Sequence, residues 1–243
     1  MIDIHCHLMP GIDDGARNIT DSLSLFRLAA NDGIRRMVLT PHLHLGRFDN
    51  TRASIHSEFL KLKQSVDEAG IKLELAVAAE VRFDSEILDL LESNQLPLYG
   101  HFEGQQFMLL ELPHSHIPSG TQALVKYLTK KNITPVIAHP ERNRDLLKTP
   151  EKINSLVRLG CWFQLTAGSI VGQFGERCQK LSVQYLEAGL VKVVATDAHN
   201  IKHRPPILST ARERVVELLG EQHAEALFWQ NPYNITASLF DQQ

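Results

Sequence analysis

Seven short apolar runs alternate with amphipathic segments along the whole chain, and nearly every run stops at a histidine or an acid. The runs are Met1-Ile-Asp-Ile-His-Cys-His7, Met37 to His42, Lys72 to Ala79, Gln106 to Leu110, Thr134 to Ala138, Cys161 to Leu165 and Val191 to Thr196. Each reads as a strand. Between them, Thr20 or Asp21 caps a helix that stops at Gly33, and a second helix runs from Arg52 to Ala69, before Gly70. A short acidic helix spans Asp84 to Ser93, and Ser119 caps a helix through Leu124, Tyr127 and Leu128. Helices from Pro150 to Leu159 and Phe174 to Ala188 end at Gly160 and Gly189. Pro206 to Leu219 and Glu221 to Trp229 close the chain, followed by a short tail. Strand and helix in strict alternation predict a parallel sheet, and seven such units predict an α/β fold with a closed or nearly closed barrel. An open doubly wound sheet is the alternative, but neither G-x-G-x-x-G nor G-x-x-x-x-G-K occurs.

At 243 residues, with no linker, repeat or low-complexity run, the chain is expected to be one domain of barrel size. Hydrophobic residues make up 43% and charged ones 22%, as in an ordinary globular protein. Lys plus Arg number 25 against 28 Asp plus Glu, a formal charge of −3, which points to neither nucleic acid nor an anionic membrane. Met1 leads straight into a strand, so no signal peptide is expected, and the most apolar stretch, Leu73 to Val81, is broken by Glu74 and Glu80. Cys6, Cys161 and Cys178 form no spaced framework, so the cytoplasm is the expected compartment. None of the three stands six residues before an arginine, which excludes the loop of cysteine-dependent phosphatases. Cys6 is expected to point away from its histidine neighbours.

Residues two apart in a strand share a face, so His5 and His7 can converge on one metal. Barrel enzymes place their chemistry at the carboxyl ends of strands. There the chain supplies His5, His7, His42, Glu80, Glu111, His139, Asp197 and His199, with Asp14 from the first loop. Singly, each is a satisfied core residue or a strand-end cap; together at one rim they are costly to bury unless they coordinate. Nine donors exceed the needs of one ion and fit two or three, with Glu80 the natural bridge. Mixed imidazole and carboxylate ligands suit Mn, Fe or Zn, and the absence of thiolate argues against purely structural zinc. Arg142 and Arg204 stand beside the ligands as a phosphoryl clamp, unless each pairs with a local acid such as Glu141 or Asp145. His44, His56, His101, His114, His116, His203 and His223 are assigned to surface or loops; His44 also repeats, from His42, the two-residue spacing of the first strand.

Met1-Ile-Asp-Ile-His-Cys-His7, Asp13-Asp14-Gly15, Thr40-Pro41-His42, Ala138-His139-Pro-Glu-Arg-Asn143 and Thr196-Asp197-Ala-His199-Asn200 resemble the polymerase-and-histidinol-phosphatase (PHP) superfamily. Within it, the chain is most similar to the CpsB/CapC type of bacterial manganese-dependent protein-tyrosine phosphatases of capsule and exopolysaccharide loci. The resemblance implies a distorted TIM-like (β/α)7 barrel, the PHP domain, with a trinuclear site. On that pattern His5, His7, Glu80 and Asp197 hold one metal; Glu80, Glu111 and His139 a second; Asp14, His42 and His199 a third. Arg142 and Arg204 match the family's phosphate-binding arginines. Relatives often carry a second histidine directly after the strand-two histidine, where this chain has Leu43 and then His44, expected at the pocket mouth with the substrate-facing Arg47 and with Phe48. The implied reaction is phosphotyrosine hydrolysis by metal-activated hydroxide, with His199 available as a proton donor. The implied partner is the tail of a bacterial tyrosine autokinase. Alternatives are histidinol phosphatase, an amidohydrolase that also opens with His-x-His, and a metal-holding accessory domain without turnover.

Overall fold

The structure, a computed structural model, describes residues 1–241. In chain order its elements are β1 (Ile2–Asp3), α1 (Ile19–Asn31), β2 (Arg36–Leu39), β3 (His42–Leu43), α2 (Arg52–Glu68), β4 (Glu74–Val77) and β5 (Glu80–Arg82). There follow α3 (Ile87–Glu92), β6 (His101–Phe102), β7 (Gln105–Glu111), α4 (Thr121–Lys130), β8 (Ile133–Ala138), α5 (Arg144–Lys148) and α6 (Asn154–Val157). The chain closes with β9 (Trp162–Thr166), α7 (Ala167–Ile170), α8 (Glu176–Glu187), β10 (Val193–Ala195), α9 (Ser209–Leu219), α10 (Glu221–Glu225) and α11 (Asn231–Phe240).

One parallel sheet runs β10-β9-β8-β7-β5-β3 and another β1-β2-β4. They are two parts of one ring. The chain of β2 continues into β3 and that of β4 into β5, so strands two and three, expected as unbroken, are each in two pieces. The break has a local cause, because Pro41 has no N–H to give the ladder. Across the joint Ala78 N–H donates to Leu39 O (2.9 Å) and Glu80 N–H to Pro41 O (3.1 Å). The ring closes past the end of β1, where Asp197 N–H donates to His5 O and His7 N–H to Ala198 O, each at 2.8 Å. The result is a distorted (β/α) barrel. Glu80 therefore begins β5 rather than ending the third strand.

Side chains separate into two apolar clusters. Ile2, Ile4, Val38, Ala76, Phe107, Leu109, Val136, Val193 and Ala195 fill the interior, joined by Tyr99, whose hydroxyl donates to Ile4 O at 2.5 Å. Met37, Leu39, Leu75, Met108, Leu110, Ile137, Leu165 and Val194 face outward to the helices. This two-sided burial is why the runs read as continuously apolar.

Several local expectations give way. Asn18, not Thr20 or Asp21, caps α1 by accepting from Asp21 N–H, and the residue ahead of α4 is Gly120, with no side-chain cap from Ser119. Pro150 to Leu159 is a 3-10 turn, Pro150–Ile153, running into the four-residue α6. The hairpin β6–β7 and the short helices α5 and α7 are additions. The expected tail is helical: a π turn at Ala226–Gln230 leads directly into α11, and Pro232, which has no N–H to bond back along the helix, stands two residues after that turn. Ile235, Leu239 and Phe240 then pack on the interior cluster, so α11 closes the floor of the barrel.

Candidate active site

His5 and His7 leave the end of β1 fully buried, and their outer nitrogens meet. His5 Nε2 lies 3.2 Å from His7 Nε2; each lies 3.3–3.4 Å from Glu80 Oε2 and 3.4 Å from Asp197 Oδ1. The inner nitrogens fix the tautomers. His5 Nδ1–H donates to Gln164 Oε1 (2.8 Å), an amide oriented by its own donation to Leu165 O, and His7 Nδ1–H donates to Asp13 Oδ2 (2.8 Å). Both Nε2 lone pairs therefore point at each other and at two carboxylates, an arrangement that only positive charge can hold together. Within this cage the two Nε2 atoms and Glu80 Oε2 all lie within 4.8 Å of one another, as donors to one cation do, and His5 forms a second such group with His139 and Asp197.

Glu80 carries the cage into a second group: its Oε1 lies 2.9 Å from His139 Nε2 and its Oε2 3.0 Å from His42 Nδ1. Glu111 Oε2 stands 3.8 Å from the same His42 nitrogen, while Arg82 pairs with Glu111 Oε1 at 2.9 Å. A third group forms where Asp14 Oδ1 lies 3.3 Å from His42 Nε2 and 3.4 Å from His199 Nε2. His42 Nδ1, Glu80 Oε2 and Glu111 Oε2 are buried without a hydrogen-bond partner. Orphaned donors and acceptors at one point call for an ion. The residues present fit a site for divalent metal.

Backbone strain marks the same place. His139 (φ +33°) and Asp197 (φ +52°) both adopt the left-handed region, which costs about 1–3 kcal/mol each for residues with a side chain and turns them into the barrel mouth. Asp3, wholly buried, accepts from Thr196 N–H (3.0 Å) and Thr196 Oγ (2.5 Å), fastening the segment that carries Asp197.

Electrostatics agree with a site that suits cations. Burial pulls His7 down, but Asp13, Asp197 and Glu80 outweigh it and hold its pKa well above the ordinary value. His42 is likewise opposed by burial yet raised to about 9 by Glu80 and Asp14. His139 falls to about 3 through burial and the nearby Arg142, and His199 to about 4 through burial and His7. Asp197 stays far below the carboxylate range despite burial because Arg204, His5 and Arg142 surround it.

Arg142 and Arg204 both donate to Asp197 Oδ2, the oxygen turned away from the histidine cage. Neither takes the local partners that the sequence offered. Glu141 is buried and accepts from Thr166 N–H and Ser169 Oγ, while Asp145 binds Lys152 and Ile117 N–H. Arg47 is exposed at the rim, 3.9 Å from Asp14 and over the Phe48 ring, and Phe48 stacks on His42 at 5.3 Å. His44 sits beside them, edge-on to Phe48. Cys6 is buried with Sγ directed at Val38 O, away from the cage.

All nine predicted donors are thus brought together at one rim. Sequence reasoning passed over Asp13, which holds His7 and also accepts from His42 N–H (3.1 Å), and over Gln164 and Asp3. His114, expected on the surface or in a loop, is an exposed loop residue, and its ring stacks on that of His139 at 5.4 Å and 4°. The neighbouring Asp14 offered a signal for Asp13; a buried glutamine in a barrel strand was the only one for Gln164.

Barrel, rim and donor set together define a (β/α)-barrel protein whose rim carries groups of residues able to hold metal. The chain belongs to the CpsB/CapC family of capsular polysaccharide synthesis, whose model matches residues 1–237. Among curated relatives it is 37% identical over 204 residues to the tyrosine-protein phosphatase YwqE of Bacillus subtilis, covering 84% of this chain and 79% of that one. It is 30% identical over 240 residues to the tyrosine-protein phosphatase CpsB of Streptococcus agalactiae, covering 97% and 98%. A crystal structure from work on YwqE of B. subtilis and CpsB of Streptococcus pneumoniae, described as metal-dependent tyrosine phosphatases, superposes with TM-score 0.89. That match has 33% identity and covers 100% of this chain and 95% of the other.

Proposed function

We propose that this chain, acting as one domain, is a metal-dependent protein-tyrosine phosphatase. The observation that carries the reading is the cage of His5, His7, Glu80 and Asp197 beside two converging arginines. His5, His7, Glu80 and Asp197 would hold one divalent ion, Glu80, Glu111 and His139 a second, and Asp14, His42 and His199 a third. Manganese is the expected metal, with iron or zinc the alternatives. Such ions supply a binding site for phosphoryl oxygens and a nucleophile of lowered pKa at neutral pH.

The chain's own residues do the rest. Arg142 and Arg204 offer guanidinium donors to the phosphoryl oxygens and stabilise charge that develops there. Glu80 and Asp197, kept ionised, hold the rim's histidines in place. Gln164 and Asp13 keep the His5 and His7 lone pairs outward. His199 Nδ1–H donates to Asp197 O (3.0 Å), which leaves its Nε2 as a lone pair facing Asp14 and suits it to ligation rather than proton donation. A tyrosyl phenolate, with a free pKa of about 10, departs with little acid assistance. Arg47 and Phe48 meet the flanking peptide at the rim.

The proposed substrate is a phosphotyrosyl protein of capsule or exopolysaccharide assembly, specifically the C-terminal tail of a bacterial tyrosine autokinase, met in the cytoplasm. Family membership and the relatives' activities support that reading. Among the described residues no helix is long and apolar enough to cross a membrane. The test is hydrolysis of phosphotyrosyl, phosphoseryl and histidinol phosphate substrates by chelator-stripped protein, before and after manganese is restored. The expected result is phosphotyrosine turnover only with metal; full activity in the stripped protein, or preference for phosphoserine or histidinol phosphate, rejects the reading.

A further inference from the structure

We infer that His114 is a positioning residue that sets the guanidinium of Arg142 for the phosphoryl group. The inference rests on the role proposed above for Arg142. Four contacts define the unit. Arg142 Nη2–H donates to His114 Nε2 at 3.2 Å, and Arg142 Nη1–H donates to Asp197 Oδ2. The Arg142 guanidinium lies 4.7 Å above the Phe174 ring, and the His114 ring lies parallel to that of His139.

An arginine never gives up its proton, so Nη2 is always a donor and His114 Nε2 must be the acceptor. That assigns the His114 proton to Nδ1, which faces Glu111 Oε1 across 3.9 Å. With Nδ1 carrying hydrogen, His114 is not a metal ligand in this arrangement, although it stands next to two residues that are. Its function is therefore exerted through the arginine. Phe174 supports one face of the guanidinium, and His114 fixes its rotation by taking one of its donors, while the stack on His139 fixes His114 itself. A guanidinium held in one plane keeps its remaining donors aimed at one place, which is what two-point recognition of phosphate requires. Half of the His114 side chain remains exposed, so the contact is at the mouth, where substrate enters.

Three variants separate the possibilities. His114→Phe keeps the stack on His139 but removes the acceptor. His114→Gln restores an acceptor, because its Oε1 can reach the place of the imidazole Nε2. Arg142→Ala removes the group being positioned. Each is loaded with manganese and measured three ways: metal content by elemental analysis, binding of inorganic phosphate by calorimetry, and kcat and KM on a phosphotyrosyl peptide. His114→Phe is expected to keep its metal and to weaken phosphate binding and raise KM by about three- to tenfold, with His114→Gln recovering most of the loss. Combined with Arg142→Ala, His114→Phe is expected to add nothing.

Unchanged phosphate affinity in His114→Phe overturns the inference, as does loss of metal or an additive effect in the double variant. Unaltered phosphate binding in Arg142→Ala instead removes Arg142 from the phosphate site, and the functional reading of that residue falls first.

Discussion

Asp197 is where the two halves of the site meet, one carboxylate oxygen in the histidine cage and the other shared by two arginines. Metal holding and phosphate holding should therefore separate by mutation on either side of it. Asp13→Asn removes the carboxylate from His7 Nδ1 while leaving every proposed ligand in place. Loss of such an outer partner typically costs 10–100-fold in metal affinity, so a drop of about that size is expected in a chelator-competition titration. Arg142→Ala lies on the other side. It should retain manganese by elemental analysis and lose about 10²–10³ in kcat/KM, the usual cost of removing one preorganised donor. Eight of the nine residues that meet at the rim were legible because they fall at the ends of apolar runs, where a histidine or acid has no structural reason to be; Asp14 was legible only as an acid in the loop behind the first run. Their partners were not. Asp13, Gln164 and His114 act through one ring nitrogen or one guanidinium donor, and such contacts depend on side-chain direction that spacing does not encode. Nor could the sequence tell that Arg142 and Arg204, sixty-two positions apart by their numbers, share one oxygen.

Among the elements, the loop between β1 and α1 carries the most function for its length, since it delivers Asp13 and Asp14. Gly15 makes that delivery possible. A Cβ there would sit 1.8 Å from His7 O and 2.6 Å from His7 Cβ, and the backbone of His7 cannot yield because its N–H is spent closing the barrel. Gly15→Ala is expected to push the loop out, break the Ala16 N–H to His7 O bond (3.0 Å) and withdraw both acids. Metal content and activity should fall together. Gly160→Ala is the matched control: φ is +80° but nothing lies within 4 Å, so it should cost about 1–2 kcal/mol of stability and leave metal content intact. A Gly15→Ala protein with a full metal complement would mean that the loop is free to take another path. The regular strands and α2 and α8 were readable from periodicity. The divided strands and α5 have local causes that periodicity does not register, Pro41 at the joint and the Asn143 cap on Asp145 N–H and Leu146 N–H, while α7 and α11 are decided by tertiary contacts: Glu141 bonding Thr166 N–H and Ser169 Oγ, and the barrel floor beneath Ile235.

For the whole molecule, the rim concentrates so much opposed charge that its stability should depend on pH in opposite ways with and without metal. In stripped protein the ordinary histidine pKa is about 6.5, and in the fold His42 stands at about 9, with His5 and His7 also raised by Glu80, Asp197 and Asp13. Groups raised on folding add stability that is complete below the unfolded pKa and is lost as pH climbs through the folded one. Stripped protein should thus lose thermal stability from about pH 6.5 to 9. His139 and His199, depressed to about 3 and 4, act in the reverse sense and cost stability as pH falls below 6.5. Stripped protein is therefore expected to be most stable near pH 6.5. Bound metal replaces the protons on those imidazoles, so its binding strengthens as protons grow scarce and weakens in acid. Metal-loaded protein should consequently hold or gain Tm from pH 6.5 to 8, where the stripped protein declines, and the two curves should converge near pH 5 as the ions leave. Differential scanning calorimetry of both forms across that range measures the divergence. Parallel curves would mean that the histidines at the rim do not exchange protons for metal, and the cage would lose its assigned purpose.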